Sequence, residues 1–521
     1  MPLTQVRFMS VLLSGQGVAV SVTDLFPIFL ERRGRVVHLL FLVITSLPMV
    51  MCSGGGQETG GQETMQPGVS QVVPQAYLKA SNTDAGDWFG AGVAVFGDTL
   101  VVNARTEDSA ATGINGNQTD NSMTDSGAVY VFTRASGVWT QQAYLKASDT
   151  NADARFGYWV DLEGDTLVVG APISGDTGTV YVFTRTGGVW SQQAALKASN
   201  ARAGDFFGSS VAISGDTVVV GARFEDSGAQ GIDGNQTDDS APDSGAAYVF
   251  TRTGSVWSQQ AYVKASNTRA GDRFGFSVDL SGNTLLVGAP SEDGAAVGIG
   301  GDQANTSTPD SGAAYVFTRN GSVWIQEAYV KSTNTGSGDG FGNGVAIAGD
   351  TFLVGAPFED SVAVGIEGNQ ADNSAPDSGA AYVFSKTGGA WSQEAYLKSS
   401  NTGVGDFFAF HVAMTTQTLL IGAHQEDSAD QVVGGNGADN SAPDSGAVYV
   451  FTRQSGVWSQ LAYVKASNAG ANNWFGAALA VDGNTVAVGA NKENRAAMAT
   501  EANQADHSAP ESGAAYVFQL Q

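Results

Sequence analysis

The dipeptide Phe-Gly returns at a near-constant interval through most of this chain, and that return decides what the chain can fold into. It stands at Phe89-Gly90, Phe156-Gly157, Phe207-Gly208, Phe274-Gly275 and Phe341-Gly342, becomes Phe408-Ala409, and appears last at Phe475-Gly476. The second residues of successive pairs lie 67, 51, 67, 67, 67 and 67 positions apart. A period held this well marks an internal repeat, so the chain is built from stacked copies of one unit.

Each copy reads alike. A short apolar stretch follows Phe-Gly, as in "SSVAIS"; then come a Gly-Asp turn, a run such as "TVVVGA", a loop, "AAYVF", a Gly-containing turn, and "VWSQQAYVKAS". β-Branched and aromatic residues punctuated by Gly, Asp and Asn predict four strands per copy. Runs such as "TLVVGAP" at Thr166 and "TLLVGAP" at Thr284 are apolar on consecutive residues, the pattern of strands buried on both faces. No sustained helical period competes with this reading. Four-stranded units of this size are the blades of a β-propeller, each burying its faces against its neighbours. A linear solenoid would need distinctive polar caps at both ends, and neither end shows one.

The two ends argue for closure. "QAYLKAS" at Gln75–Ser81 has no "AAYVF" before it, and "AAYVF" at Ala514–Phe518 has no "QAYLKAS" after it. The two halves complete one blade if the N-terminal strand pairs antiparallel with Ala514–Phe518. The expected fold is therefore all-β: seven four-stranded antiparallel blades over residues 75–521, latched shut by the first strand.

The motifs "GDTLVVGAP" (Gly164–Pro172), "GNTLLVGAP" (Gly282–Pro290) and "GDTFLVGAP" (Gly349–Pro357), each following a Phe-Gly, resemble the FG-GAP repeats of the integrin α-subunit N-terminal β-propeller. Blades one, three, six and seven depart at the Gly-Ala-Pro, reading "NAR", "GAR", "GAH" and "GAN". The resemblance implies a seven-bladed ring whose loop face binds a protein or glycan outside the cell. Integrin propellers also carry Asp-x-Asp-x-Asp-Gly calcium loops between the first two strands of some blades. Here that connection is as short as "ISGDTV", and the calcium site does not carry over to it.

The front of the chain reads as an export leader over residues 1–52. Arg32, Arg33 and Arg35 precede the apolar run "VVHLLFLVITSLPMVM", which is short against the about 20 residues of a bilayer span and suits a signal sequence. Cys52 follows, in the manner of a bacterial lipoprotein whose cysteine is acylated, although Met51 stands where a small residue is expected. Residues 1–31 precede that signal and have two readings, a misplaced upstream start or an unusually long n-region. A Gly/Gln/Glu linker spans residues 53–74. The expected location is the outer membrane or cell surface, with membrane contact only through the lipid or signal anchor, and the expected state is a monomer. Cys52 is the single cysteine, so no intrachain disulfide forms.

Acidic residues outnumber basic ones 51 to 25, a net charge of −26, which argues against nucleic acid as a partner. The acids recur in three places. Six blades carry a long insert between their second and third strands; blade two passes from Pro172 to Gly178 almost directly. Five of the six inserts have an early Glu-Asp pair, as at Glu225/Asp226, Glu292/Asp293 and Glu359/Asp360, and all six a late acid before Ser-Gly, as at Asp243, Asp310 and Asp377. Blade seven reads "KEN" at the early pair. These oxygens have two readings: a Ca²⁺ cage, which needs about six to eight hard ligands, or turn chemistry in which Asp side chains bond the backbone. Asp87, Asp205, Asp272, Asp339 and Asp406 recur just before Phe-Gly, on the rim that carries the inserts; together they are candidate binding residues there, and each singly also reads as a turn former. Six tryptophans, Trp139 to Trp458, recur after the Gly turn and read as packing residues, with stacking on sugars the alternative.

Catalytic motifs are missing. The four histidines occupy no common repeat position, and the chain has no nucleophile elbow, phosphate loop or HExxH. The expected function is thus a non-enzymatic surface binding or adhesion module recognising a protein or glycan through an acidic rim. A polysaccharide- or phosphoester-acting enzyme and a purely structural envelope protein are the alternatives.

Overall fold

A computed structural model describes residues 69–435, 437–496 and 508–521; the leader, Cys52 and most of the linker lie outside the described residues. The strands form seven four-stranded antiparallel sheets, one per repeat, with the short turn Ser174–Asp176 in blade two as the single 3₁₀ element among the described residues. Six sheets use four consecutive strands. The seventh joins Phe475–Asp482, Thr485–Ala490 and Ala514–Leu520 to Val72–Leu78 from the opposite end of the chain.

The latch runs in antiparallel register from Val72↔Leu520 to Leu78↔Ala515, with a bulge between Pro74 and Ala76. Pro74 has no N–H to give a ladder, and a bulge is where a sheet tolerates one. The strand begins at Val72, so Val72–Pro74 pairs within the ring although the sequence reads as linker there. The Gln521 N–H donates to the Gln71 carbonyl at 3.0 Å, which carries the pairing to the last residue.

The Phe-Gly and Gly-Ala signatures are two halves of one inter-blade contact. The first strand of each blade lies toward the axis, and its Phe-Gly backbone crosses the Gly-Ala of the blade before. A Cβ on Gly221 would meet the Gly275 carbonyl oxygen, and one on Gly489 would meet that of Gly90, across the closure. The Phe-Gly glycine itself has φ of 95° at Gly208 and 83° at Gly275. Both glycines are thus demanded by geometry, one by close approach and one by a left-handed backbone. The paired phenylalanine is buried in every blade and meets the "AAYVF" tyrosine edge-on, as in Phe89–Tyr130 at 5.3 Å and Phe475–Tyr516 at 5.2 Å.

The repeated tryptophans pack, as the sequence reads them. Trp139 lies under the Arg134 guanidinium at 5.1 Å, and its Nε1 donates to Gln75 of the neighbouring blade at 3.0 Å. Trp190, Trp257 and Trp324 repeat both contacts.

Candidate functional site

The early glutamates do not reach the rim. Glu225 is buried, and its carboxylate accepts from Lys264 Nζ at 2.9 Å, Tyr262 OH at 2.8 Å, Asn200 Nδ2 at 2.9 Å and the Ser227 N–H at 3.1 Å. Glu292 and Glu359 make the same set with Lys331 and Lys398, and Glu107 and Glu426 repeat it. Lys264 and Asn200 come from different strands: the lysine follows the outer strand of the same blade, whereas the asparagine arrives from the blade before. Each "K-A-S-N" segment therefore bonds its own blade through Lys and the next blade through Asn. At the closure Lys79 pairs with Glu493 at 3.0 Å, 414 residues away. Burial pulls the Lys264 ammonium below its ordinary pKa, and the Glu225 charge opposes that pull.

Blade two supplies an internal control. It has no insert and so no glutamate at the insert position, and Lys197 turns to the Gly178 carbonyl. The residue three places after the preceding blade's lysine is here Asp149 where the other blades have Asn. Its carboxylate accepts from Tyr181 OH at 2.7 Å. An amide donor is needed only where a glutamate waits to receive it.

The rest of the insert acids make turns. Asp226 Oδ1 accepts the Asp243 N–H at 2.9 Å; Asp293 and Asp360 do the same for Asp310 and Asp377. Asn494 performs this bond for Glu511 in blade seven, so no charge is required at the position. Asp243, Asp310 and Asp377 sit at φ of 55°, 51° and 55°, a left-handed conformation that Asp tolerates. Among the described residues no group of three or more His, Cys, Asp or Glu gathers as a metal site. The donor set does not fit Ca²⁺, because the glutamate oxygens are already engaged by lysine, tyrosine and amide donors.

Asp87, Asp205, Asp272, Asp339 and Asp406 are likewise buried and accept a backbone N–H three residues earlier, as Asp272 does from Arg269 at 2.9 Å. Burial first, then the neighbouring glutamate, pushes Asp87 and Asp272 up to about 8 and Asp205, Asp339 and Asp406 up to about 7. They hold turns at the blade junctions instead of presenting charge on the rim.

The axis is different. A funnel of about 600 Å³ opens along it, walled by the first strands of the blades. The residue after Phe-Gly faces this space in every blade, and it never settles: Ala91, Tyr158, Ser209, Phe276, Asn343, Phe410 and Ala477. The departures from Gly-Ala-Pro arrive at the same place, since Arg105, Arg223, His424 and Asn491 all line the funnel. Arg105 lies over Trp88 at 4.9 Å and Tyr158 at 5.1 Å. Arg223 donates to Tyr158 OH at 3.1 Å and stacks near Phe206, Phe224 and Phe276. His411 and His424, scattered in sequence, come within 6.4 Å, and burial drives them down to about 3 and about 4, so both are neutral. Deeper, Asp161 and Asp279 each accept one N–H from the following blade, Ile213 and Ile347, at 2.7 Å. Their carboxyls are pushed by burial up to about 6 and about 7.

Comparison with protein families finds the FG-GAP repeat at residues 72–132, 139–183, 190–250, 257–317, 324–384, 391–451 and 458–518, which together cover most of the chain. The chain belongs to the FG-GAP repeat family. No curated protein matches it. Among solved structures, a Bacteroides uniformis protein provisionally named a 6-phosphogluconolactonase is similar at 10% identity and a TM-score of 0.42, covering 73% of this chain and 86% of that one. That likeness is too loose to bear on function.

In this FG-GAP propeller the funnel residues escaped the sequence reading because it followed what repeats. Their signal was the reverse: the positions where a strict repeat fails. The "NAR", "GAR", "GAH" and "GAN" departures were visible, but only the ring brings them to one cavity.

Proposed function

We propose that this FG-GAP propeller is an exported cell-surface binding module that takes a protein or glycan partner at the mouth of its central funnel. The observation that carries this reading is the loss of sevenfold repetition at the axis, where Tyr158, Phe276, Phe410 and Trp474 form an aromatic collar beside two arginines. A cavity lined by rings with a few polar groups is the ordinary form of a binding site. The FG-GAP family is generally non-enzymatic, which suits binding. Export rests on the leader pattern ending at Cys52. Glycan-array and partner-pulldown measurements on the full chain test the proposal: binding should fall with Phe410→Ala and Trp474→Ala, and binding unaffected by both would refute it.

One observation favours a second reading, a hydrolase. Asp161 and Asp279 face the same funnel with raised carboxyl pKa values, the arrangement of an acid–base pair. Against it, both carboxylates are tied to backbone N–H groups, Asp161 to Ile213 and Leu162 and Asp279 to Ile347 and Leu280, and so pin adjacent blades together. Turnover of a polysaccharide or phosphoester that disappears in Asp279→Asn would establish this reading over binding.

A further inference from the structure

The arginines of the funnel are in an unusual electrostatic position for a chain of net charge −26. Several arginines of the ring meet acids, as Arg134 does Asp98, Arg185 Asp165 and Arg252 Asp216, whereas Arg319 at the equivalent place bonds the neutral Asn283. Arg105 and Arg223 form no ion pair among the described residues. The charged neighbours of Arg105 are two further cations, Arg155 and Arg223. Both Arg105 and Arg223 are partly buried, and the Nε of each is buried with no hydrogen-bond partner. His424 Nδ1 and Asn491 Oδ1 are two more buried, unpartnered polar atoms on the same wall. His424 is itself only 6% exposed. Buried polar groups are ordinarily bonded, and an unpaired one costs about 1–3 kcal/mol, more when charged. Three of these atoms on the walls of one cavity, the two arginine Nε groups and His424 Nδ1, can donate to an anion, while Asn491 Oδ1 can accept from a ligand hydroxyl; together they describe a site short of its ligand.

The geometry points to a small organic anion as that ligand: a carboxylate-bearing molecule with a ring body, its anionic group held between Arg105 and Arg223 and its ring laid on the aromatic collar. This rests on the binding-module reading and names the ligand class. Guanidinium groups present planar forked donors that match a carboxylate, and here stacking on Tyr158 already fixes their orientation. The neutral imidazole of His424 can donate one further bond without adding charge. The funnel volume of about 600 Å³ suits a molecule of one or two sugar rings. A bare inorganic anion would leave Phe276, Phe410 and Trp474 without a role, and a neutral sugar would leave the two cations uncompensated.

The test is calorimetric titration of the full chain, with thermal melts at constant ionic strength, against digalacturonate, benzoate, inorganic sulfate and lactose. Either carboxylate should bind saturably and raise the melting temperature, and which one does so identifies an acidic glycan or a free ring acid as the source. The double variant Arg105→Met/Arg223→Met should lose affinity by about tenfold or more. Asn491→Asp, which adds an opposing carboxylate to the wall without removing any ring, should weaken the same titration and guards against misfolding of the double variant. Sulfate binding as well as the ring acids, carboxylates bound equally by all variants, or silence from every carboxylate would overturn the inference. Lactose or a protein bound at the collar while the carboxylates stay silent would overturn it and leave the binding-module reading standing.

Discussion

Near the outer strands, six blades place Glu, Lys and Asn in the same buried bonds, whereas at the axis the seven blades place Ala, Tyr, Ser, Phe, Asn, Phe and Ala at one equivalent position. The difference follows from what each side chain faces. A glutamate that must accept from a lysine, a tyrosine, an amide and a backbone N–H admits no substitute, because any loss strands a buried partner. A residue that faces open space has no such partner, and repetition there is not enforced by packing. Blade two shows that the constraint is local: without the insert, the glutamate, its outer-strand tyrosine (here Ala195) and the asparagine disappear together, and Asp149 accepts from Tyr181, whose counterpart Tyr248 bonds Asn200. The bonds that stitch the blades and the proposed recognition site therefore lie at different radii of the same ring.

Changes at the outer stitch should be costly and changes at the funnel cheap. The largest effect is expected from deleting Gln71–Ala80, which removes the fourth strand of blade seven and the Lys79–Glu493 pair together. Size-exclusion chromatography should then show loss of the folded monomer, since a bare strand edge remains and buried Glu493 loses its lysine. Next, Glu292→Ala should cost about 3–5 kcal/mol by denaturant unfolding, because Lys331 is left buried and uncompensated. Asp149→Asn in blade two should cost under about 1 kcal/mol, since a neutral amide oxygen still accepts from Tyr181.

A smaller effect separates the junction aspartates from a charged rim. Asp87 and Asp272, at about 8, bind their protons more tightly folded than unfolded. Their contribution is complete below about pH 4, the unfolded value, and is lost as pH rises through 7 to 8. The melting temperature should thus fall between pH 6 and pH 8.5, and Asp272→Asn, which keeps an acceptor for the Arg269 N–H, should flatten part of that slope. The smallest effect belongs to metal removal: EDTA should leave the melting temperature unchanged, because Glu225, Glu292 and Glu359 are already fully bonded within the protein.

The fold was legible because its determinants repeat. The Phe-Gly and Gly-Ala glycines are required by a close backbone crossing at nearly every blade junction, so the period is written plainly, and the split blade at the two ends announces the latch. The acids were legible as positions but not as roles. Glu225 and Asp226 are adjacent in sequence yet face a buried lysine and a turn respectively, a division that depends on which strand brings Lys264 alongside. Arg105, Arg223, His411 and His424 share no repeat position, and nothing short of closing the ring places them in one cavity.

The central claim, that recognition belongs to the funnel and not to the inserts, can be tested by binding measured on three full-length chains. One is native; one carries Arg105→Met/Arg223→Met; one has the blade-five insert Pro357–Gly379 replaced by the Pro172–Gly178 turn, with Asn334→Asp to match blade two. The account predicts that carboxylate binding is lost in the second and retained in the third. Binding lost in the third and retained in the second would contradict it.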